Sequence, residues 1–394
     1  MTIARNEDTR RVYLDHAATS PLRAEVWSAM QEALGAAYNP ASTHAFGREA
    51  NRRLEEARGE LGGLLGCRKR ELYFTGGGTA SNNLAILGFA RGHRAERPRV
   101  LLSAVEHKAC LKAARRAAAE GAEVRFLPVD GGGTLRLEAL QTELEAGAGH
   151  PTLVSLMWAN NEVGAVQPVA EAAELAHRHG ALFHTDAVQA FGKVDVSLEG
   201  VPADLLTITA HKLGGPVGVG LLFRREGVEL EAITYGGAQE RGLWPGTQNP
   251  VGAVGFAVAA RLAASERSSK VPEWREMRDR LASRILEEVP GSRQHAADAP
   301  ARLPNLLSVG IPGCDPAALL LFLDMEGIAV STGSACSSGS AETSSVLQAM
   351  GLVREEAYAT LRFSLGPETT PQEIERAAEA AVRACHRVRD TLAA

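Results

Sequence analysis

The 394-residue sequence has only five cysteines, and no two of them form a C-x-x-C pair. Cys67, Cys110, Cys314, Cys336 and Cys385 are an odd, widely spaced set, which suggests neither a disulfide framework nor a zinc site. No resident metal is expected. Positive charge is also lacking: 42 Lys and Arg stand against 47 Asp and Glu, a net charge of −5, so direct nucleic-acid binding is not expected. The most apolar long stretch, VGAVGFAVAARLAA from Val251, is broken by Arg261 and is too short to span a bilayer. The opening MTIARNEDTRRVYLD has no apolar run of the secretory kind, so neither a signal peptide nor a membrane role is expected. A reducing, cytoplasmic setting is the expectation. No repeat or low-complexity tract appears.

What is present is the material of a large folded protein. Hydrophobic residues make up 45% and charged residues 23%, and the length predicts two to three domains. Seven short apolar runs, ELYFT, RVLLSA, EVRFLPV, TLVSLMWA, ALFHTDA, DLLTITA and GVGLLFR, read as strands between residues 70 and 225. Ala-rich amphipathic stretches such as KACLKAARRAAAEG separate several of them. That alternation predicts an α/β fold, a mainly parallel seven-stranded sheet with helices on both faces. After about residue 265, a charged helix, the runs LPNLLSVGIPG and ATLRFSLG and a final helix predict a smaller α+β domain. The expected division is residues 16–265 for the large domain and 1–15 with 266–394 for the small one.

In such sheets ligands sit beyond the carboxyl ends of the strands, and three polar motifs fall there. LYFTGGGTASNN runs a strand into Gly76, Gly77, Gly78 and Thr79 and then a helix, a place where backbone N–H groups favour phosphate. Alone it reads equally as a tight turn. ALFHTDAVQA ends a strand at Asp186, with Gln189 one turn on; the carboxylate either caps the next helix or pairs with a protonated ring nitrogen. DLLTITAHKLGG ends in His211 and Lys212, and a desolvated lysine is a competent imine-forming nucleophile. A phosphate cradle, an anionic floor and a lysine together are the parts that pyridoxal phosphate requires. A fourth feature is Cys336, set in AVSTGSACSSGS among residues too small to bury it, although free cysteine usually behaves as a core hydrophobe.

YLDHAATSP, NPASTHAFG, FTGGGTASNN, VEHKA, NNEVGAVQP, HTDAVQ, TAHK, ERGLWPGTQN, STGSACSSGS and LRFSLG, in this order, resemble the cysteine desulfurases of the NifS/IscS type. These are class V, fold-type I PLP-dependent transferases, and the resemblance runs from about residue 12 to the last helix. It implies that Lys212 is the Schiff-base lysine, Asp186 the partner of the pyridinium nitrogen and Gln189 the contact to the phenolic oxygen. His107 would stack on the ring, while Gly78, Thr79, Thr209 and His211 would hold the phosphate. Thr247 would reach the phosphate of the second subunit, which implies a homodimer with shared sites. Asn161 would lie near both cofactor and substrate, and Arg362 would clamp the substrate carboxylate, a task suited to a guanidinium fork.

The same resemblance makes Cys336 the nucleophile, carried on a loop of small residues so that its thiol can travel. The implied reaction converts L-cysteine to L-alanine and leaves a persulfide on Cys336 for a sulfur-acceptor protein, in iron–sulfur cluster assembly, tRNA thiolation or a related pathway. Trp244, Val217 and Trp158 stand where the family usually has arginine, lysine and histidine, departures that touch substrate approach and acceptor choice. Other class V reactions, or a scaffold without catalysis, are the alternatives, and neither needs a mobile thiol.

Overall fold

The structure is a computed structural model and describes residues 11–35, 38–332 and 343–393. Its strands are β1 (Val12–Tyr13), β2 (Leu72–Thr75), β3 (Arg99–Ser103), β4 (Glu123–Leu127), β5 (Thr152–Ser155) and β6 (Leu182–Asp186), followed by β7 (Leu205–Thr209), β8 (Gly220–Arg224), β9 (Arg293–Gln294), β10 (Leu306–Gly310), β11 (Ile328–Ala329) and β12 (Thr360–Ser364). The seven apolar runs expected as strands become β2 to β8 and form one sheet in the order β2-β8-β7-β6-β5-β3-β4. Alternate residues of its strands enter different cores. Leu101, Val154, Phe183, Leu206 and Leu221 pack on one face, and Val100, Leu102, Leu153, Leu205 and Leu222 on the other. Burial on both faces is why these strands read as continuous apolar runs rather than alternating ones.

β3 to β7 pair in parallel, while β8 is antiparallel to both β7 and β2. The carboxyl ends of β2, β3, β5, β6 and β7 therefore share one edge. The run TLVSLMWA forms a shorter ladder than its apolar length predicts. Beyond Ser155 it still donates from Leu156 N to His184 O (3.0 Å) and from Trp158 N to Asp186 O (2.9 Å), so it accompanies β6 to the site. β4 stops at Leu127, before Pro128, which has no N–H to extend a ladder.

A smaller assembly carries a three-stranded antiparallel sheet, β12-β10-β9, and the parallel pair β1-β11. One helix, Pro250–Glu288, joins the two assemblies and runs unbroken across residue 265. Ala253, Phe256 and Ala260 in its first half pack into the core beneath the large sheet, whereas Trp274, Leu281 and Ile285 in its second half pack with Leu307, Leu361 and Phe363. Composition changes along this helix because the core it faces changes, not because the helix ends. Among the described residues no helix is long and apolar enough to cross a membrane.

Candidate active site

A cavity of about 450 Å³ opens at the carboxyl edge of the large sheet. Ten of the residues singled out from the sequence line it: Gly78, Thr79, His107, Asn161, Asp186, Gln189, Thr209, His211, Lys212 and Arg362. All but Arg362, which lies within β12, arrive from the end of a strand or the segment that follows it. Thr247 is exposed and lies outside this chain's cavity, and Cys336 falls outside the described residues.

The glycine-rich turn after β2 is shaped by two close approaches. Gly77 has φ of +138°, a conformation that disfavours any side chain. A Cβ on Gly220 of β8 would stand 2.4 Å from the carbonyl carbon of Gly77, so only glycine lets the neighbouring strand pass beneath the turn. The helix Gly78–Gly92 then starts with its first N–H groups at the cavity, where no preceding turn of helix accepts from them. These donors and the positive end of the helix make an anion cradle. The Thr209 hydroxyl at the adjacent end of β7 already donates to Val219 O (2.9 Å), leaving its lone pairs rather than its proton for further bonding.

Asp186 ends β6 and is 5% exposed. Its Oδ1 accepts from Val188 N (3.0 Å), the turn-capping bond expected of a carboxylate at a strand end. Its Oδ2 accepts from Asn82 Nδ2 (2.6 Å). Both roles read from the sequence thus coexist: the local bond fixes the carboxylate, which still lines the cavity. His107 is likewise double. Its Nδ1 accepts from Ala109 N (3.1 Å) and caps the helix Lys108–Ala119, while its ring forms part of the cavity wall. Burial holds the imidazole pKa below its usual value, with Asp186 opposing and Lys212 adding to the effect. His211 is lowered to about 4, chiefly by burial, and meets Thr19 Oγ1 at 3.2 Å.

Lys212 lies in the 3-10 turn Ala210–Leu213 that follows β7, and its Nζ donates to Ala17 O (2.7 Å) and to Ala18 O. Gln189 Nε2 donates to the same Ala17 carbonyl (2.8 Å). On the opposite wall Arg362, from β12, is 3% exposed. Its Nη2 bonds Asp15 Oδ1 (2.8 Å) and its Nη1 bonds Asn161 O (3.0 Å). The buried Nε of Arg362 has no partner among the described residues. The Arg362 guanidinium as a whole lines the cavity, and a guanidinium fork suits an anionic ligand.

Several contributing groups escaped the sequence reading. Asn82 sits four residues after Gly78, one helical turn on, and that spacing alone could have placed it on the cavity face. Asp15 could have been noted as the acid of YLDHAATSP. The carbonyls of Ala17 and Ala18 leave no side-chain signature. Glu106 gave none either: it is fully buried, its Oε1 accepts from Met157 N (2.6 Å), and burial followed by the nearby Asp186 pushes its carboxyl well up.

Comparison with known proteins agrees with this arrangement. The aminotransferase class-V family profile matches residues 12–377, and the chain belongs to that family. A cysteine desulfurase of Cereibacter sphaeroides is 44% identical over 372 residues, covering 94% of this chain and 94% of that protein. The cysteine desulfurase IscS of Dictyoglomus turgidum is 38% identical, covering 93% of this chain and 92% of its own length. Among solved structures, a NifS-like protein superposes with a TM-score of 0.88 at 34% identity, covering 95% of this chain and 99% of that one. The fold-type I class of PLP-dependent enzymes expected from the sequence is the class to which the chain is similar in both sequence and structure.

Proposed function

We propose that this protein is a PLP-dependent cysteine desulfurase that removes sulfur from L-cysteine, releases L-alanine and holds the sulfur as a persulfide on Cys336. One observation carries the reading: Lys212, Asp186, His107, the helix start at Gly78–Thr79 and Arg362 converge on one cavity. The residues fit pyridoxal phosphate. The cradle takes its phosphate, Asp186 its ring nitrogen, His107 its ring face, Gln189 its phenolic oxygen, and Lys212 its aldehyde. His211, Thr209 and Asn161 complete the contacts. When bound, the cofactor supplies a carbonyl that joins an amine and a ring that accepts the electron pair released at Cα.

The chain's own groups do the rest. Asp186, held by Asn82 and Val188, keeps a proton on the ring nitrogen. Arg362 offers its guanidinium to the substrate carboxylate, with Asn161 beside it. Lys212 takes the Cα proton and returns protons to the carbon skeleton. The Cys336 thiolate attacks the substrate sulfur: an S–S bond forms, the Cβ–S bond breaks, and its electron pair stays on the carbon skeleton, which leaves as alanine after protonation.

Two anchors flanking Cys336 support its role. Ser331 exchanges backbone hydrogen bonds with Arg362 (3.2 and 2.6 Å), and Ser344 Oγ bonds Glu162 Oε2 (2.5 Å), next to Asn161. Both ends of the chain leading to Cys336 are thereby fastened to neighbours of the cavity. The partners in this reading are L-cysteine, a second copy of the chain and a sulfur-acceptor protein of iron–sulfur cluster assembly or a related pathway, with the cytoplasm as the setting. The homodimer is supported by the exposed Val217 on the cavity rim, by exposed Tyr235 and by Thr247, free to reach a neighbouring site. The two cores support a domain division near residues 15 and 265. The test is turnover of L-cysteine by wild type and Cys336→Ser. The variant should retain the visible cofactor band but produce no sulfide, and substantial retained activity refutes the thiol's role.

A further inference from the structure

Behind Lys212 lies a second lysine that the proposed reaction does not use. Lys193 is 6% exposed, and among the described residues its ammonium group meets no carboxylate. Its Nζ instead donates to Gln189 O (3.1 Å) and to Gln189 Oε1 (3.2 Å). Gln189 Nε2 donates in turn to Ala17 O (2.8 Å), the carbonyl that also accepts from Lys212 Nζ (2.7 Å). A hydrogen-bonded chain therefore runs from Lys193 through the Gln189 amide and the Ala17 carbonyl to Lys212.

This chain fixes which end of the amide is which. The Gln189 oxygen is occupied by Lys193, so the amide nitrogen is the end left at the cavity, with one N–H on Ala17 and a second for a ligand. A lysine is a costly way to occupy a buried oxygen, because desolvation of an ammonium group is severe. The cost is reduced here by loss of charge. Burial, with the nearby Lys212 second, lowers Lys193 to about 7. A neutral amine still has two N–H groups, and Gln189 presents two acceptors. The other titratable groups around it are His16 and His211, both lowered to about 4 mainly by burial, and the Arg23–Glu266 pair on the far wall of a small cavity shared by Lys193 and Lys212.

We propose that Lys193 is a positioning residue for the reaction: it locks the Gln189 amide so that a donor, not an acceptor, faces the cofactor's phenolic oxygen. The assignment rests on the cofactor site described above and goes beyond it, since Lys193 touches neither cofactor nor substrate. With the lock removed, the Gln189 donor is less well held. The negative charge on the phenolic oxygen is then freer to retain the neighbouring proton of the chromophore, and the pH at which the visible band changes form moves upward.

The test is a pH titration of that band in the cofactor-loaded protein, comparing wild type, Lys193→Met, Gln189→Leu and the double variant. Lys193→Met should raise the midpoint by about half a unit to one unit, the scale of one weakened hydrogen bond. Gln189→Leu should raise it at least as far, and adding Lys193→Met to Gln189→Leu should shift it no further. An unmoved midpoint in Lys193→Met, with or without a loss of thermal stability, overturns the proposal. Additive shifts in the double variant overturn it too, because Lys193 would then act by another route. If Lys193→Met does not fold, Lys193→Gln, which keeps a donor without charge, takes its place and should hold the midpoint within a few tenths of wild type; a full-unit shift refutes the lock. A wild-type protein that shows no visible band on loading defeats the cofactor site itself and the proposal with it.

Discussion

Glu240→Gln is a demanding test of how the site's outer wall is held. Glu240 is almost wholly buried, and its carboxylate accepts from four donors: Arg58 Nη1 (2.7 Å), Arg58 Nη2 (2.8 Å), Phe74 N (2.9 Å) and Gln248 Nε2 (2.6 Å). It thereby ties the segment that carries Thr247 to β2 and to the helix Ala45–Leu65. In the amide one acceptor becomes an N–H donor facing other donors, and the buried Arg58 loses the more buried of its two counter-charges. Breaking a buried pair from one side costs about 3–5 kcal/mol. Arg58 keeps Leu72 O (2.9 Å) and Glu55 (2.9 Å), so the low end, about 3 kcal/mol, is expected. Equilibrium urea unfolding reads the loss directly. Replacing both partners, Arg58→Met with Glu240→Met, should recover at least half of it, since a buried pair and an apolar pair are of similar worth. A loss below about 1 kcal/mol in Glu240→Gln, or no recovery in the double variant, refutes the reasoning.

Gly220→Ala should leave the fold intact but displace the turn at Gly77, because the added Cβ would stand 2.4 Å from the Gly77 backbone, which must shift to make room. PLP affinity measured by equilibrium dialysis should fall by roughly tenfold or more, and an unchanged affinity contradicts the cradle. Lys212→Ala should abolish the visible band of the loaded protein; a normal band removes Lys212 from its role. Lys193 also makes stability depend on pH. Its native pKa of about 7 lies below the ordinary 10.5. Below pH 7 both folded and unfolded chains hold the proton, and the burial cost is fully present. Between pH 7 and 10.5 the unfolded chain binds the proton that the folded one has shed, so this contribution favours folding increasingly as pH rises, by at most about 1.4 kcal/mol per unit. Unfolding free energies at about pH 7 and pH 9 should show wild type gaining on Lys193→Met, whereas a pH-independent gap contradicts the shift.

Much of this was legible in the sequence because both faces of the large sheet are covered. Buried strands such as VLL of β3 and LLTI of β7 carry their apolar residues in unbroken runs, and polar residues appear where those runs end, at Asp186, His211 and Lys212. The direction of β8 was not legible, since GLLFR is equally apolar whichever way it runs. Nor was the continuity of the helix Pro250–Glu288, whose two halves differ in composition because they face different cores. At the cavity, ten of the residues announced by a motif come together, Thr247 lies outside it, and those defined only by what they touch were missed. Arg362 stands out in LRFSLG, but its bond to Asp15 joins positions 347 residues apart. Nothing in AFGKVDV marks Lys193, and only folding reveals that it is enclosed and bonded twice to Gln189.

The central claim is that sulfur leaves L-cysteine and comes to rest on Cys336. Single-turnover mass spectrometry of the cofactor-loaded protein with L-cysteine tests it most directly. The account predicts one added sulfur atom on the peptide containing Cys336, with alanine formed in equal amount. A protein that binds the cofactor and consumes cysteine without that adduct, or that carries the sulfur on another cysteine, contradicts it.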